Sequence, residues 1–153
     1  MLQACKNYYN LHLLPFHGPP SGSFVGAIDR LEDDLGFRLP PVYREFLAWM
    51  GSDHDGVFRG SDWFTSDIVE NTAYIPDLLQ DNGIDWPMPE RYVGFFVHQG
   101  YLAGWFEVVP GVDDPLCWEF LEGTTAAPRE AGPFSEYLLQ VLKTTARPGR
   151  YSW

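Results

Sequence analysis

Apolar residues crowd most densely into residues 92–122, YVGFFVHQGYLAGWFEVVPGVDDPLCWEFLE, where three aromatic and β-branched runs alternate with turn residues. That pattern predicts a three-stranded antiparallel meander. Gly100, within His98-Gln99-Gly100-Tyr101, suits the positive φ of a tight two-residue hairpin, and the second connection, 110–115, is longer and carries Asp113 and Asp114. In the middle run Tyr101, Ala103, Trp105, Glu107 and Val109 point to one side while Leu102, Gly104, Phe106 and Val108 point to the other. Neither face is polar throughout, so helices must cover at least one.

The helical periodicities lie on either side of that stretch. Residues 1–22 mix Tyr8, Tyr9, Leu11, Leu13, Leu14 and Phe16 before the breakers of 17–22, which predicts a short helix or extended arm and then a loop. From Ser23, Phe24, Ile28, Leu31 and Leu35 recur at helical spacing with acids on the outer face, and Gly36 stands where a left-handed C-terminal cap belongs. Pro40 and Pro41 open a second helix whose buried stripe is Tyr43, Phe46, Leu47 and Met50, with Gly51 as its stop. A polar, Gly-rich loop holding one short strand follows. Ser66 can cap a third helix buried along Ile68, Thr72, Ile75 and Leu79, which Pro76 should kink or restart. Residues 123–132 read as a loop of small residues, and Pro133 opens a last helix buried through Phe134, Leu138, Val141 and Leu142. The tail, 144–153, carries Arg147, Arg150, Tyr151 and Trp153. The fold class is therefore α+β: one domain over 1–153, an antiparallel sheet of about four to six strands packed against several α-helices.

Composition narrows the function classes. At 153 residues and 45% hydrophobic content the chain can bury a core without staples. Its net charge of −11 disfavours nucleic acid and anionic membranes as direct partners, because phosphates are bound by surplus Lys and Arg, and favours a basic protein. No run reaches the length of a membrane span, and the N-terminus lacks the features of a signal peptide. Two cysteines, Cys5 and Cys117, argue for a reducing compartment, so the cytoplasm is expected.

Gly36, Leu39, Pro40, Tyr43, Phe46, Leu47 and Gly51, in GFRLPPVYREFLAWMG, resemble the helix-turn-helix signature of the SUKH superfamily, which includes the yeast cell-wall assembly regulators of Smi/Knr type and many bacterial immunity proteins. Phe95, Gln99-Gly100-Tyr101, Trp105-Phe106, the Asp113-Asp114-Pro115 turn, Trp118 and 134–138 resemble that family's meander and closing helix. The resemblance covers about 24–142 and leaves out the N-terminal arm and the tail. It implies a non-catalytic scaffold for protein binding, with no cofactor, whose bacterial members mask a toxin encoded beside them, often a nuclease. A regulatory or scaffold module of a cell-wall or signalling pathway is the alternative that it also implies.

Candidate partner-binding residues come from the charge pattern. Between positions 53 and 90 nine carboxylates stand against the single Arg59, leaving eight of the eleven net negative charges in that segment. Asp53, Asp55, Asp62 and Asp85, interleaved with Trp63 and Trp86, would make an aromatic anchor ringed by acids. The alternative makes both tryptophans core residues and the acids a solvated face. Asp113 and Asp114 form a second candidate patch, or ordinary turn chemistry before Pro115. Catalytic readings are thinner. Glu107 and Glu119 could face each other across the second hairpin, and Cys117 would need a base such as His98. Cys5, His12, His17 and His54 lack zinc spacing, and Asp53-His54-Asp55-Gly56 does not continue into a calcium loop, so no metal is expected.

Overall fold

Four strands, β1 (Tyr92–His98), β2 (Leu102–Glu107), β3 (Leu116–Leu121) and β4 (Arg129–Pro133), pair antiparallel in the order β1-β2-β3-β4. The structure is a computed structural model and describes residues 1–123 and 126–145, so the tail at 147–153 lies outside the described residues. The expected meander is present. At its first turn Gln99 and Gly100 both take positive φ (47° and 78°), and pairing resumes at His98 and Leu102, so the loop holds three residues rather than two. The fourth strand occupies part of what reads as a loop, because Arg129-Glu130-Ala131-Gly132-Pro133 has no β-branched alternation. It is held instead by its neighbour, through Glu119–Arg129 and Trp118–Glu130 pairing and an Arg129–Glu119 ion pair of 2.9 Å.

Both faces of β1 and β2 are buried, and a bulge in β1 decides how. The register slips between Gly94 and Phe96, so Phe95 and Phe96 both enter the same core instead of alternating. They stack over Gly104 of β2, where an added Cβ would lie 2.3 Å from Phe96 Cε1 and 2.8 Å from Phe95 Cζ. On this side the helices α1 (Gln3–Tyr8), α3 (Val25–Leu35), α4 (Pro41–Met50) and α6 (Phe134–Thr145) bring in Tyr43, Phe46, Phe134 and Tyr137. Trp63 completes the cluster, with ring centroids 4.4 Å from Phe58 and 4.8 Å from Phe96.

The opposite face belongs to α5 (Ile68–Asp81), which follows a 3-10 turn at Thr65–Asp67 and packs Ile75, Leu78 and Leu79 on Val97, Ala103, Trp105 and Phe120. Ser66 does not cap it; the Asp67 carboxylate accepts the Phe64 N–H at 3.1 Å instead. Pro76 stands inside α5 without ending it. Its ring removes the N–H that the Thr72 carbonyl would accept, and the Tyr92 hydroxyl donates to that carbonyl at 2.9 Å in its place. The Gly94 N–H donates to Thr72 Oγ1 at 2.9 Å beside it. That approach requires glycine, since a Cβ on Gly94 would meet the Asn71 backbone at 2.8 Å.

The remaining differences are local. Phe24, expected on the buried stripe, is 89% exposed, because it is the extended residue before α3 and points away from the helix it precedes. The N-terminal arm is helical: α1, π-helical turns at Tyr9–Leu13 and α2 (Leu14–His17) bury Cys5, Tyr9 and Leu13, with a Lys6–Glu45 ion pair of 3.1 Å fixing it to α4. Gly36 takes φ 84° as the C-terminal cap of α3, and Pro41 is the first residue of α4.

Denaturant titration of three variants checks this packing. Gly104→Ala is expected to lower unfolding stability by about 1–3 kcal/mol in denaturant titration, because neither phenyl ring has room to withdraw. Tyr92→Phe is expected to cost about 1–2 kcal/mol by orphaning the Thr72 carbonyl. Pro76→Ala in the Tyr92→Phe background should recover part of that loss by restoring the helical donor.

Candidate functional site

The 3.6-residue period of α5 sorts its side chains. With Ile68, Asn71, Ile75, Leu78 and Leu79 buried, Glu70, Asp77 and Asp81 are turned to solvent, and Ala73 and Tyr74 lie on the same outward side. Between this side and the β1–β2 turn runs an open groove of about 490 Å³. Ala73, Tyr74, Val97 and Gly100 form its apolar floor, and Asp62, Glu70 and Asp77 its acidic rim; none of the lining side chains is basic.

Hydrogen bonds hold both walls. Asp62 pairs with the edge of β1, its N–H donating to the Val97 carbonyl at 2.9 Å, and the buried Asn71 Nδ2 donates to the Asp62 carbonyl at 2.7 Å. The Asp62 backbone is fixed while its side chain stays exposed. Across the groove the Tyr74 hydroxyl donates to the Gly100 carbonyl at 2.6 Å. Burial first, and then the fields of Glu122, Asp81 and Asp77, push that hydroxyl's pKa up. Five carboxylates, Asp62, Glu70, Asp77, Asp81 and Glu122, therefore converge around one helix and one turn.

The eight residues nominated from the charge pattern do not share a surface. Asp62 rims the groove, and Asp85 is exposed beyond the far end of α5, where half-buried Trp86 packs on Trp118 with centroids 5.1 Å apart. Trp63 is fully buried in the aromatic core, so it offers no surface to a partner. Asp53 accepts the Ser21 N–H at 3.1 Å and ties two loops together, while Asp55 next to it is exposed. Asp114 accepts the Ser135 N–H at 3.0 Å and its hydroxyl, which fastens the start of α6; Asp113 is exposed. Glu70, Asp77 and Asp81 were discernible as an i, i+7, i+11 series on one helix face. Glu122 was not, since only the sheet brings it to α5.

The groups considered for catalysis are dispersed or occupied. Glu107 sits opposite Tyr92 and Glu119 opposite Gly104, so the two carboxylates do not face each other. Glu119 accepts the Tyr137 hydroxyl and pairs with Arg129. Cys117 is fully buried opposite Phe106, and burial carries its thiol well above the usual range. Phe106 pairs in turn with Val93, five residues along β1 from His98, so no base is in register with the thiol. Burial raises the Cys5 thiol to about 11, and both cysteines are free. Among the described residues no cluster of three or more His, Cys, Asp or Glu could hold a metal ion, and no helix is long and apolar enough to cross a membrane.

The sequence profile of the SMI1/KNR4 family (SUKH-1) matches residues 26–140, which span α3 through most of α6 and include the whole sheet and the acidic helix. No curated protein matches the chain.

Burial raises the Asp53 and Asp67 carboxyls above their ordinary value. Carboxyls raised in the folded state bind protons more readily there than in the unfolded chain, so their contribution improves as pH falls through the folded values and is lost as pH rises. Glu45 acts in the opposite sense: burial works against its charge, but Lys6, the Leu2 N–H and the N-terminal ammonium outweigh it and hold its carboxyl low. In thermal melts from pH 4 to 8 the Tm of Asp53→Asn is expected to rise relative to that of the unaltered chain as pH increases, because the variant keeps an acceptor for the Ser21 N–H without the partly buried charge.

Proposed function

This chain belongs to the SMI1/KNR4 family (SUKH-1), and from that premise we propose that it is a non-catalytic, cytoplasmic immunity protein that neutralises a cognate toxin, nuclease toxins included, by covering its basic surface. The observation that carries this reading is the groove along α5, an apolar floor rimmed by Asp62, Glu70 and Asp77 with no basic side chain in its lining.

Lys and Arg combine a cationic head with an aliphatic stem. Stems laid on Ala73, Tyr74 and Val97 would bring the heads to the three rim carboxylates, with Asp81, Asp85 and Glu122 extending the field along the helix. Carboxylates gathered this way would raise the encounter rate with a basic surface and repel nucleic acid, so the complex would shield a nuclease from its substrate. The groove is preformed, because its walls are hydrogen-bonded in the free chain, which limits the ordering cost of association.

The test is co-expression with the product of the adjacent gene. A stable complex, and protection of cells from that product, are expected. Replacing Glu70 and Asp77 by Lys should slow association by about 10-fold or more at low salt, with a weaker effect at high salt, while leaving the thermal transition in place. A complete lack of complex and of protection would refute the antidote role.

A further inference from the structure

A second groove differs from the first in sign. It lies between the α3–α4 loop, residues 36–40, and the β2–β3 loop, residues 108–113, with a volume of about 390 Å³. Its walls are Phe37, Pro40, Val108, Pro110 and Val112, and its rim carries Arg38 and Arg91. Asp113 is the only carboxylate in the lining, so the groove is locally positive on a chain that has ten Lys and Arg against twenty-one Asp and Glu.

Both arginines are exposed, and neither makes an ion pair among the described residues, whereas Lys6, Arg44 and Arg129 are each paired with a carboxylate. Val109 and Val112 are each 41% exposed, so apolar surface is left in water beside these two free guanidinium groups. The walls are stiff. Gly36 and Gly111 turn the chain at φ 84° and 85°, Pro40 and Pro110 fix φ on either side, and the Val108 N–H bonds the Arg91 carbonyl at 2.8 Å. The Val42 N–H reaches across to the Asp113 carbonyl at 3.3 Å, which joins the two loops.

We propose that this groove is a second docking site, for a short peptide segment in which an apolar side chain is flanked by carboxylates. The volume accepts one or two large apolar side chains, and guanidinium groups favour carboxylates through forked, charge-assisted hydrogen bonds. The same pair of arginines repels the basic surface assigned to the α5 groove, so the two sites take partners of opposite charge and the chain can bridge them. This inference stands apart from the immunity reading, since either groove can fail its test without the other.

Titrating the nitrogen-15-labelled full chain with the acidic peptide acetyl-ELEFD-amide tests it by NMR. Amide shifts are expected to gather on residues 36–40 and 108–113. The lysine counterpart acetyl-KLKFK-amide, and an acidic peptide with serine in place of both apolar residues, should each bind about 10-fold more weakly or worse. The double variant Arg38→Glu, Arg91→Glu should weaken the acidic peptide by a similar factor while keeping a dispersed spectrum, and Glu70→Lys should leave its binding unchanged. The proposal is overturned by shifts that gather elsewhere, by equal binding of the lysine peptide, or by inorganic phosphate alone reproducing the same shifts, which would mark a simple anion spot.

Discussion

The slip in β1 between Gly94 and Phe96 is the constraint from which the rest of the architecture follows. One extra residue turns Phe95 and Phe96 to the same side, and two phenyl rings then occupy space that Gly104 leaves open. Next to the bulge, Gly94 has no side chain on the other face, so the backbone of α5 comes within van der Waals distance of the strand. A sheet whose first two strands are buried on both faces needs an account of where each helix can approach it. Here the glycines supply that access, and the aromatic rings fill the remainder.

Close approach has a further effect on α5. A proline in a helix normally leaves a carbonyl without a donor and bends the axis. Tyr92 and Gly94 of the sheet bond Thr72 instead, so the missing bond is replaced from outside the helix. Pro76 is thereby tolerated in a helix whose outer face carries Glu70, Asp77 and Asp81 with no basic residue. The inner side of α5 is held by Ile75, Leu78 and Leu79, and the outer side can crowd carboxylates because like-charge repulsion at an exposed surface is small against that burial.

The charge distribution is divided rather than uniform. The acids of α5 and the flanking turn surround one groove, and Arg38 and Arg91 border another. Both grooves are built on segments stiffened by hydrogen bonds, glycine turns or proline, not on the helical arm before α3. The family match from 26 to 140 spans both grooves and omits that arm.

Much of this was legible along the chain. The aromatic runs of 92–122, the helical stripes of α3, α4 and α6, the cap at Gly36 and the family signature around Pro40 and Tyr43 all depend on local periodicity or on the conformational limits of glycine and proline, which are properties of the sequence itself. The acidity of residues 53–90 was equally plain. Tertiary structure alone decided which of those acids would share a surface. Trp63 looks like a loop-borne anchor until Phe46, Phe96 and Tyr137, from distant segments, pack against it, and Asp53 and Asp114 become fastenings only once Ser21 and Ser135 are brought to them. The fourth strand was invisible for the same reason, being held by Glu119 and Trp118 across the ladder and not by its own residues. Periodicity reports which side of an element is apolar; what lies against that side depends on contacts between residues far apart in the chain, and those exist only after it has folded.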